Sequence, residues 1–343
     1  MSESMLGIIN ATNEFASLEE LTMRRSLAAL PFGGRYRLID FMLSNMVNSG
    51  ITSVAIFTGH ENRSLMDHLG SGKQWDLDRK RDGLFVFTPN CYCEKEEFGS
   101  FTHFRRHIDY FLRSKQTHVV VTNAHIVAAI DFKPILERHI GTGADITEVY
   151  HDGRSLQTYI LKKDLLLNLF EQYKDAGYYS IIDLVCNNRQ NLHIQTYEYT
   201  GYAAVINSAQ RYYQHSMDIL KPEVWKELFK QEAPVFTKVK DEPPTRYAKG
   251  AKVTNSMIAN GSVIEGEVEN SIIFRAVKVG KGSVIRNSII MQKTQIGENC
   301  ILDGVILDKD VKIEDGTVLT GATAGNSPYI VRKGTVQGAL MNS

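Results

Sequence analysis

Two arginines set behind a glycine pair give the first chemical lead. In "PFGGRYRLIDFMLSN", residues 31–45, Gly33 and Gly34 precede Arg35 and Arg37, with Tyr36 between them. Adjacent glycines let the backbone turn tightly. A guanidinium offers a planar fork that matches phosphate or carboxylate oxygens. Arg35 and Arg37 are therefore candidates for anion recognition; a surface ion pair is the alternative role for Arg35. The other reactive types point to less. His60, His68, His103 and His107 have no carboxylate at a spacing that assembles a compact triad, so surface or helix-face positions are expected. Cys91 and Cys93 flank a single tyrosine, a separation zinc sites seldom use, and Cys186 and Cys300 stand apart. Reduced thiols of a cytosolic protein are expected. "DLDRKRDG" (76–83) alternates in sign, as solvated loops do.

Such residues need a scaffold, and 343 residues suffice for two domains. Basic and acidic residues balance at 39 each, so no global field draws nucleic acid or an anionic membrane. The N-terminus has no charged segment leading into an apolar run, and no stretch approaches a membrane span. A cytoplasmic location is expected. "SVAIFTG" (53–59) and "THVVVTNAH" (117–125) read as buried strands, with a helical pattern in "FTHFRRHIDYFLRS" (101–114) between them. That order predicts an α/β domain over 1–230, Rossmann-like, with a mostly parallel sheet and ligands beyond its carboxyl edge. A long helical pair, "LKKDLLLNLFEQYKDAG" and "SAQRYYQHSMDILKPEVWKELF", is expected to close it. Proline and charge in "KQEAPVFTKVKDEPPTRYAKG" mark a linker over 231–250.

After the linker the texture changes. Ile273, Val279, Ile285, Ile290, Ile296, Leu302, Leu307, Ile313 and Leu319 recur every six residues, with two five-residue steps. Gly, Asn and Asp lie between. A sandwich would show period two, whereas this hexapeptide period predicts a left-handed parallel β-helix over 251–343. Acyltransferases on that fold need a histidine, and none follows His215. A structural and oligomerisation role is expected.

The two-domain order, with "PFGGRYRLIDFMLSNMVNSGI" and "NSIIFRAVKVGKGSVIRNSIIMQ", resembles glucose-1-phosphate adenylyltransferase, the family that makes ADP-glucose and diphosphate from ATP and glucose 1-phosphate. The resemblance spans essentially the whole chain and implies a magnesium ion held by two aspartates. Against the family's "LAGGRGTRLxxLTxxRAKPAVxFGG", this chain reads "NATNEFASLEELTMRRSLAALPFGG". The loop glycines become Thr12, Asn13 and Phe15, the arginines Glu14 and Ser17, and the lysine Leu27. Side chains and a carboxylate thus stand where a triphosphate would approach. The family's "GDHIY" corresponds to Asn123–Val127, with Ala124 at the aspartate; Asp131 matches a later, non-ligating one. Its "GYWxDVGT" corresponds to "GYAAVINS", with Ala203 at the tryptophan and Val205 at the second metal aspartate, and its "GTADA" to "GSFTH" (99–103). No "FxEKP" element precedes Ser155 and Tyr159, which match the ends of the "SMGIY" sugar-phosphate strand.

The resemblance therefore implies a degenerate catalytic site that binds no cofactor, with no metal and with Mg2+ expected only in a partner. "SLMDHLGSGKQWDLDRKRDGLFV" (64–86) is similar to the second, D-type subunit of bacterial glycogen synthesis, found beside an active subunit in some Gram-positive bacteria. A regulatory subunit of a heterotetramer is the leading expectation. In the family a basic residue at the position of Arg35 is associated with phosphorylated-sugar effectors, so an effector contact through Arg35 and Arg37 is implied. The alternatives are an active enzyme with substituted ligands, a purely structural β-helix protein, and a sensor that binds a sugar nucleotide without turnover.

Overall fold

The β-branched runs of the first half become strands buried on both faces, as the middle of a parallel sheet requires. In a computed structural model describing residues 4–89, 101–177, 179–187, 191–321 and 328–338, the N-terminal domain contains eleven strands among the described residues. These are β1 (Met5–Ala11), β2 (Pro31–Phe32), β3 (Tyr36–Arg37), β4 (Ser53–Thr58), β5 (Gly83–Phe87), β6 (His118–Asn123), β7 (Ile126–Ala128), β8 (Ile146–His151), β9 (Arg154–Lys162), β10 (Ile194–Glu198) and β11 (Ala203–Val205). Seven form one sheet in the order β10-β8-β9-β6-β1-β4-β5. Neighbours run parallel except β9, which is antiparallel to both β6 and β8. Ile9, Ile56 and Val120 pack on one side of it, and Leu6, Phe57 and Val121 on the other. The helices that matter below are α1 (Leu38–Asn48), α2 (Phe132–Thr142), α3 (Lys163–Ala176), α4 (Ala209–Asp218) and α5 (Pro222–Leu228).

Three details differ from the sequence reading. "FTHFRRHIDYFLRS" breaks into two short helices, Phe101–Arg105 and Ile108–Arg113. The expected helical pair is not contiguous: α3 is followed by a further helix, Ile181–Asn187, and by β10 and β11, before α4 and α5. Pro222 takes the first position of α5, so the chain bends between those two helices. The stretch before Ser155 is a tight hairpin from β8 to β9, with Asp152 and Gly153 both at positive φ (48° and 69°). That is the backbone of a two-residue turn, and it closes the gap left by the missing lysine element.

The C-terminal domain is a parallel β-helix with three flat faces. Each coil repeats after 17 residues over most of its length, as in Ile272 to Ile289 and Ile285 to Leu302. All nine residues of the periodic series point inward and are at most 8% exposed. The five-residue steps fall at one corner, where Asn270, Asn287 and Gly304 take positive φ. The first coil begins at Arg246–Tyr247, within the stretch read as linker. Both residues are exposed, so that edge coil shows none of the inward aliphatic texture.

The two domains share a core. Ile272, Ile289 and Ile306 face outward from the β-helix and pack with Phe32, Phe41, Tyr212 and Ile219, all nearly inaccessible to solvent. Burying one such side chain contributes about 1.5–3 kcal/mol. The joint is therefore a rigid one. It also buries an ion pair: Arg25 donates to both oxygens of Asp308, at 2.8 and 2.7 Å.

Candidate functional site

The carboxyl edge of β1 and β6 is where this sheet type binds ligands. Here it is closed by uncharged side chains. Asn10 Nδ2 donates to Asn13 Oδ1 (3.0 Å) and to Asn123 Oδ1 (3.1 Å), and Thr12 Oγ1 donates to Asn10 Oδ1 (2.7 Å). Asn123 Nδ2 continues the chain to Gln157 Oε1 at 3.1 Å. Ala124 is buried beside this network, and Val205 lies on β11, paired with Ile126 of β7. The structure thus brings Thr12, Asn13, Ala124 and Val205 into one region, as the sequence reading required, and adds Asn10 and Gln157. Hard divalent cations need carboxylate oxygens, so this donor set does not fit Mg2+. Among the described residues no group of three His, Cys, Asp or Glu side chains could hold a metal ion.

Phe15 seats its ring edge-on against His125, with centroids 5.2 Å apart. Burial drives the His125 pKa down to about 4, so the ring is neutral at physiological pH. Leu27 is 3% exposed and borders a cavity of ≈ 470 Å3 with Asn13, Glu14, Phe15, Glu19 and Glu61. Three carboxylates face it, while Arg25, which also lines it, is already bound to Asp308. A polyphosphate would meet repulsion there.

A second cleft of ≈ 470 Å3 has the opposite character. Arg154, Arg211, His125, His151 and His215 line it against Asp152, with Ala203 and Val205 among its apolar wall. Tyr202 Oη and Asp218 Oδ2 hold His215 Nδ1 at 2.9 and 3.3 Å. Burial acts to raise the Asp218 pKa, but hydrogen bonds from His215 and Lys221 outweigh it and hold it at about 2. Ser155 lines the cleft, yet its hydroxyl donates to the buried Glu148. Tyr159 is buried away from the cleft and also meets Glu148. The sequence reading singled out none of the cleft's cations.

A third pocket, of ≈ 280 Å3, lies between the domains and contains the predicted arginines. Gly33 and Gly34 take φ of 55° and 76° and turn β2 into β3. Arg35 then reaches the pocket over the ring of Tyr36, which stacks on Phe229. Arg37 is more constrained: its Nη1 donates to Ser64 O and Oγ at 2.6 and 2.9 Å. Burial lowers its pKa to about 10 against the opposing pull of Asp40. The β-helix contributes Arg275, Gln292 and Lys309, each 17 residues from the next, and the linker adds Lys240. Burial, then Arg37 and Arg25, push the Lys309 pKa down to about 7. Six cations, including Lys293, surround two carboxylates, Glu242 and Asp310. The coil period was the sequence signal that could have found the β-helix members.

Of the histidines expected at surface or helix-face positions, His68 and His103 do lie on helices, Arg63–Leu69 and Phe101–Arg105, but both are buried. His68 is 6% exposed, and its Nε2 sits 2.6 Å from Asp40 Oδ1. His103 is buried, and His107 stacks on Phe87 with ring centroids 4.2 Å apart. Helix periodicity does not reveal a neighbour, such as Asp40, 28 residues away. The alternating stretch 76–83 is largely exposed, with Arg79 donating to Asp76. Asp131 caps α2 by accepting from Lys133 N at 3.0 Å. Cys91, Cys93 and the start of "GSFTH" lie outside the described residues; Cys186 and Cys300 are free thiols. No helix among the described residues is long and apolar enough to cross a membrane.

Comparison with known proteins finds two families in separate stretches of the chain. The nucleotidyl transferase family matches residues 16–155, and a GlmU-like C-terminal hexapeptide family matches 243–326. The chain is 54% identical over 343 residues to "Glycogen biosynthesis protein GlgD" of Bacillus subtilis, covering 100% of this chain and 99% of that one. It is 57% identical over 344 residues to the protein of that name in Geobacillus stearothermophilus, covering 100% of both. A glucose-1-phosphate adenylyltransferase of Mycoplasma mobile is 27% identical over 328 residues, covering 83% of this chain and 85% of that one.

Proposed function

The chain belongs to the GlgD family of glycogen biosynthesis proteins, relatives of glucose-1-phosphate adenylyltransferase, and from that membership we propose that it is a regulatory subunit without catalytic activity of its own. In this reading a catalytic adenylyltransferase subunit supplies the chemistry within a hetero-oligomer, probed first as a heterotetramer. One observation carries it. The edge that should hold metal and triphosphate is closed by Asn10, Asn13, Asn123 and Gln157, with Ala124 and Val205 offering no oxygen donor. Phosphoryl transfer depends on positive charge and positioning at that edge. The chain's contribution is then regulatory, through the cationic pocket between the domains, where a phosphorylated sugar or nucleotide effector would meet Arg35 and Lys309.

The cationic cleft around Arg154 and Arg211 favours a second reading, in which the chain binds a sugar nucleotide or sugar phosphate there without turnover. ADP-glucose binding by the isolated chain, measured calorimetrically, would support that reading over the first.

The test of the main reading mixes the chain with a catalytic subunit. Co-elution and a changed rate or effector response are expected, while the chain alone gives no ADP-glucose from ATP, glucose 1-phosphate and Mg2+. Val205→Asp alone should not restore synthesis, because one carboxylate holds neither metal nor triphosphate. Magnesium-dependent turnover by the chain alone, or failure to co-elute with no kinetic effect, overturns the proposal.

A further inference from the structure

Lys309 stands at a corner of the β-helix, just past the strand Val305–Leu307. Its backbone is held on both sides: its N–H donates to Asp308 Oδ1 at 2.7 Å, and its carbonyl accepts from Gly334 N at 3.0 Å. The side chain lines the pocket between the domains, together with Arg35, Arg37, Lys240, Arg275 and Lys293. Among the described residues its amine makes no ion pair and no hydrogen bond. The charges that act on it are Arg37, Arg25 and Lys333, opposed by Asp308. Asp308 is already bound by Arg25 through both oxygens. Of the pocket's carboxylates, Glu242 acts on Arg275 and Asp310 is exposed. An ammonium here is desolvated, repelled and unpartnered, and all three effects favour the neutral amine.

We propose that Lys309 is a carbon dioxide-binding residue, whose neutral amine adds CO2 to form a carbamate held by the surrounding guanidinium groups. The Nζ lone pair attacks the carbon of CO2 and a C–N bond forms. One C–O π pair moves onto oxygen, and the nitrogen releases a proton to water. A side chain that would carry a positive charge then carries a negative one. That sign suits a pocket in which cations outnumber carboxylates, and the planar carbamate presents two oxygens to the arginine forks. The carbamate also keeps one N–H donor. Gln292, one coil earlier in the same column, has a buried Oε1 with no partner among the described residues to accept it.

The supply of neutral amine favours the same step. With its pKa pushed down to about 7, Lys309 is about three-quarters neutral near pH 7.5, against ~0.1% for an ordinary lysine, a gain of about 600-fold. CO2 carries no charge, so the cations do not oppose its entry. Once formed, the carbamate occupies the place an incoming anion would take. Carbamate and bound anion therefore exclude each other, whether or not the pocket serves a catalytic partner.

Carbon NMR on the full chain in isotopically labelled bicarbonate tests it. The native chain should show a carbamate resonance that Lys309→Arg loses and that sulfate suppresses. The α-amino group, titrating near 7.7–8.0, is the other amine that should react at this pH; its resonance should survive in Lys309→Arg and resist sulfate. Trapping with a trialkyloxonium ester, followed by peptide mass spectrometry, should place the esterified carbamate on Lys309. Calorimetric sulfate affinity, at constant pH and ionic strength, should fall severalfold more on adding bicarbonate for the native chain than for Lys309→Arg. Thermal melts establish that the variant is folded; if it is not, the position of the trapped adduct in the native chain decides alone. A native spectrum identical to that of folded Lys309→Arg, or an adduct absent from Lys309, overturns the proposal. So does equal weakening of sulfate binding in both chains, which would mean a bicarbonate ion merely seated among the cations.

Discussion

Replacing Asp308 with alanine should destabilise the protein by about 3–5 kcal/mol, the usual consequence of stranding one member of a buried ion pair. Arg25 is 4% and Asp308 2% exposed. The guanidinium makes two short bonds to the carboxylate and also reaches the Met291 sulfur at 3.8 Å, a weak acceptor. Asp308 also accepts the Lys309 backbone N–H at 2.7 Å. Alanine thus removes three charge-assisted bonds, each worth about 1.5–3 kcal/mol, offset in part by relief of carboxylate desolvation. Replacing both partners, as Arg25→Met with Asp308→Leu, should come within about 2 kcal/mol of the native protein, since no charge is then left buried. Urea unfolding should be followed by two probes. Tryptophan fluorescence reports the N-terminal domain, which contains both Trp75 and Trp225, and circular dichroism reports the whole chain. In Asp308→Ala the fluorescence and dichroism transitions should separate as the joint loosens. A loss below about 1 kcal/mol, or a double variant as damaged as the single one, would refute the reasoning that an uncompensated charge dominates this joint.

Two further outcomes concern the interdomain pocket. Because Lys309 titrates at about 7, its charged fraction falls roughly twentyfold between pH 6.5 and 8.5. Calorimetric affinity for sulfate, whose own charge is constant over this range, should weaken by up to that factor, whereas Lys309→Arg should flatten the profile. The same depressed pKa means the unfolded chain binds the extra proton between pH 7 and the ordinary lysine value, so Lys309's contribution to stability rises with pH across that window. Arg35→Ala should weaken phosphate binding and the effector response of the mixed enzyme while assembly, measured by co-elution, is unchanged. Loss of both would make Arg35 structural, and loss of neither would remove it from the site.

The parts legible in the sequence are those set by local pattern. The hexapeptide period placed nine inward residues correctly because each coil repeats the same short-range geometry. Val54–Phe57 and Val119–Val121 read as strands because a sheet covered on both faces tolerates unbroken apolar runs. That Ala124 and Val205 lack donor oxygens was legible as residue type, wherever the chain puts them. The tight turn that carries Arg35 was legible through the glycine pair before it.

What tertiary structure alone decided is which distant residues meet. Asn10 and Asn123, 113 residues apart, share a hydrogen bond because β1 and β6 are neighbours in register. His68 reads as a helix-face histidine until Asp40 is brought 2.6 Å from it. Arg37, Arg275 and Lys309 become one pocket, and Arg25 and Asp308 one ion pair, when a β-helix face docks on the N-terminal domain. Periodicity along a chain records which way a side chain faces. It carries no record of the opposing surface, and the shifted charge of Lys309 arises from that surface.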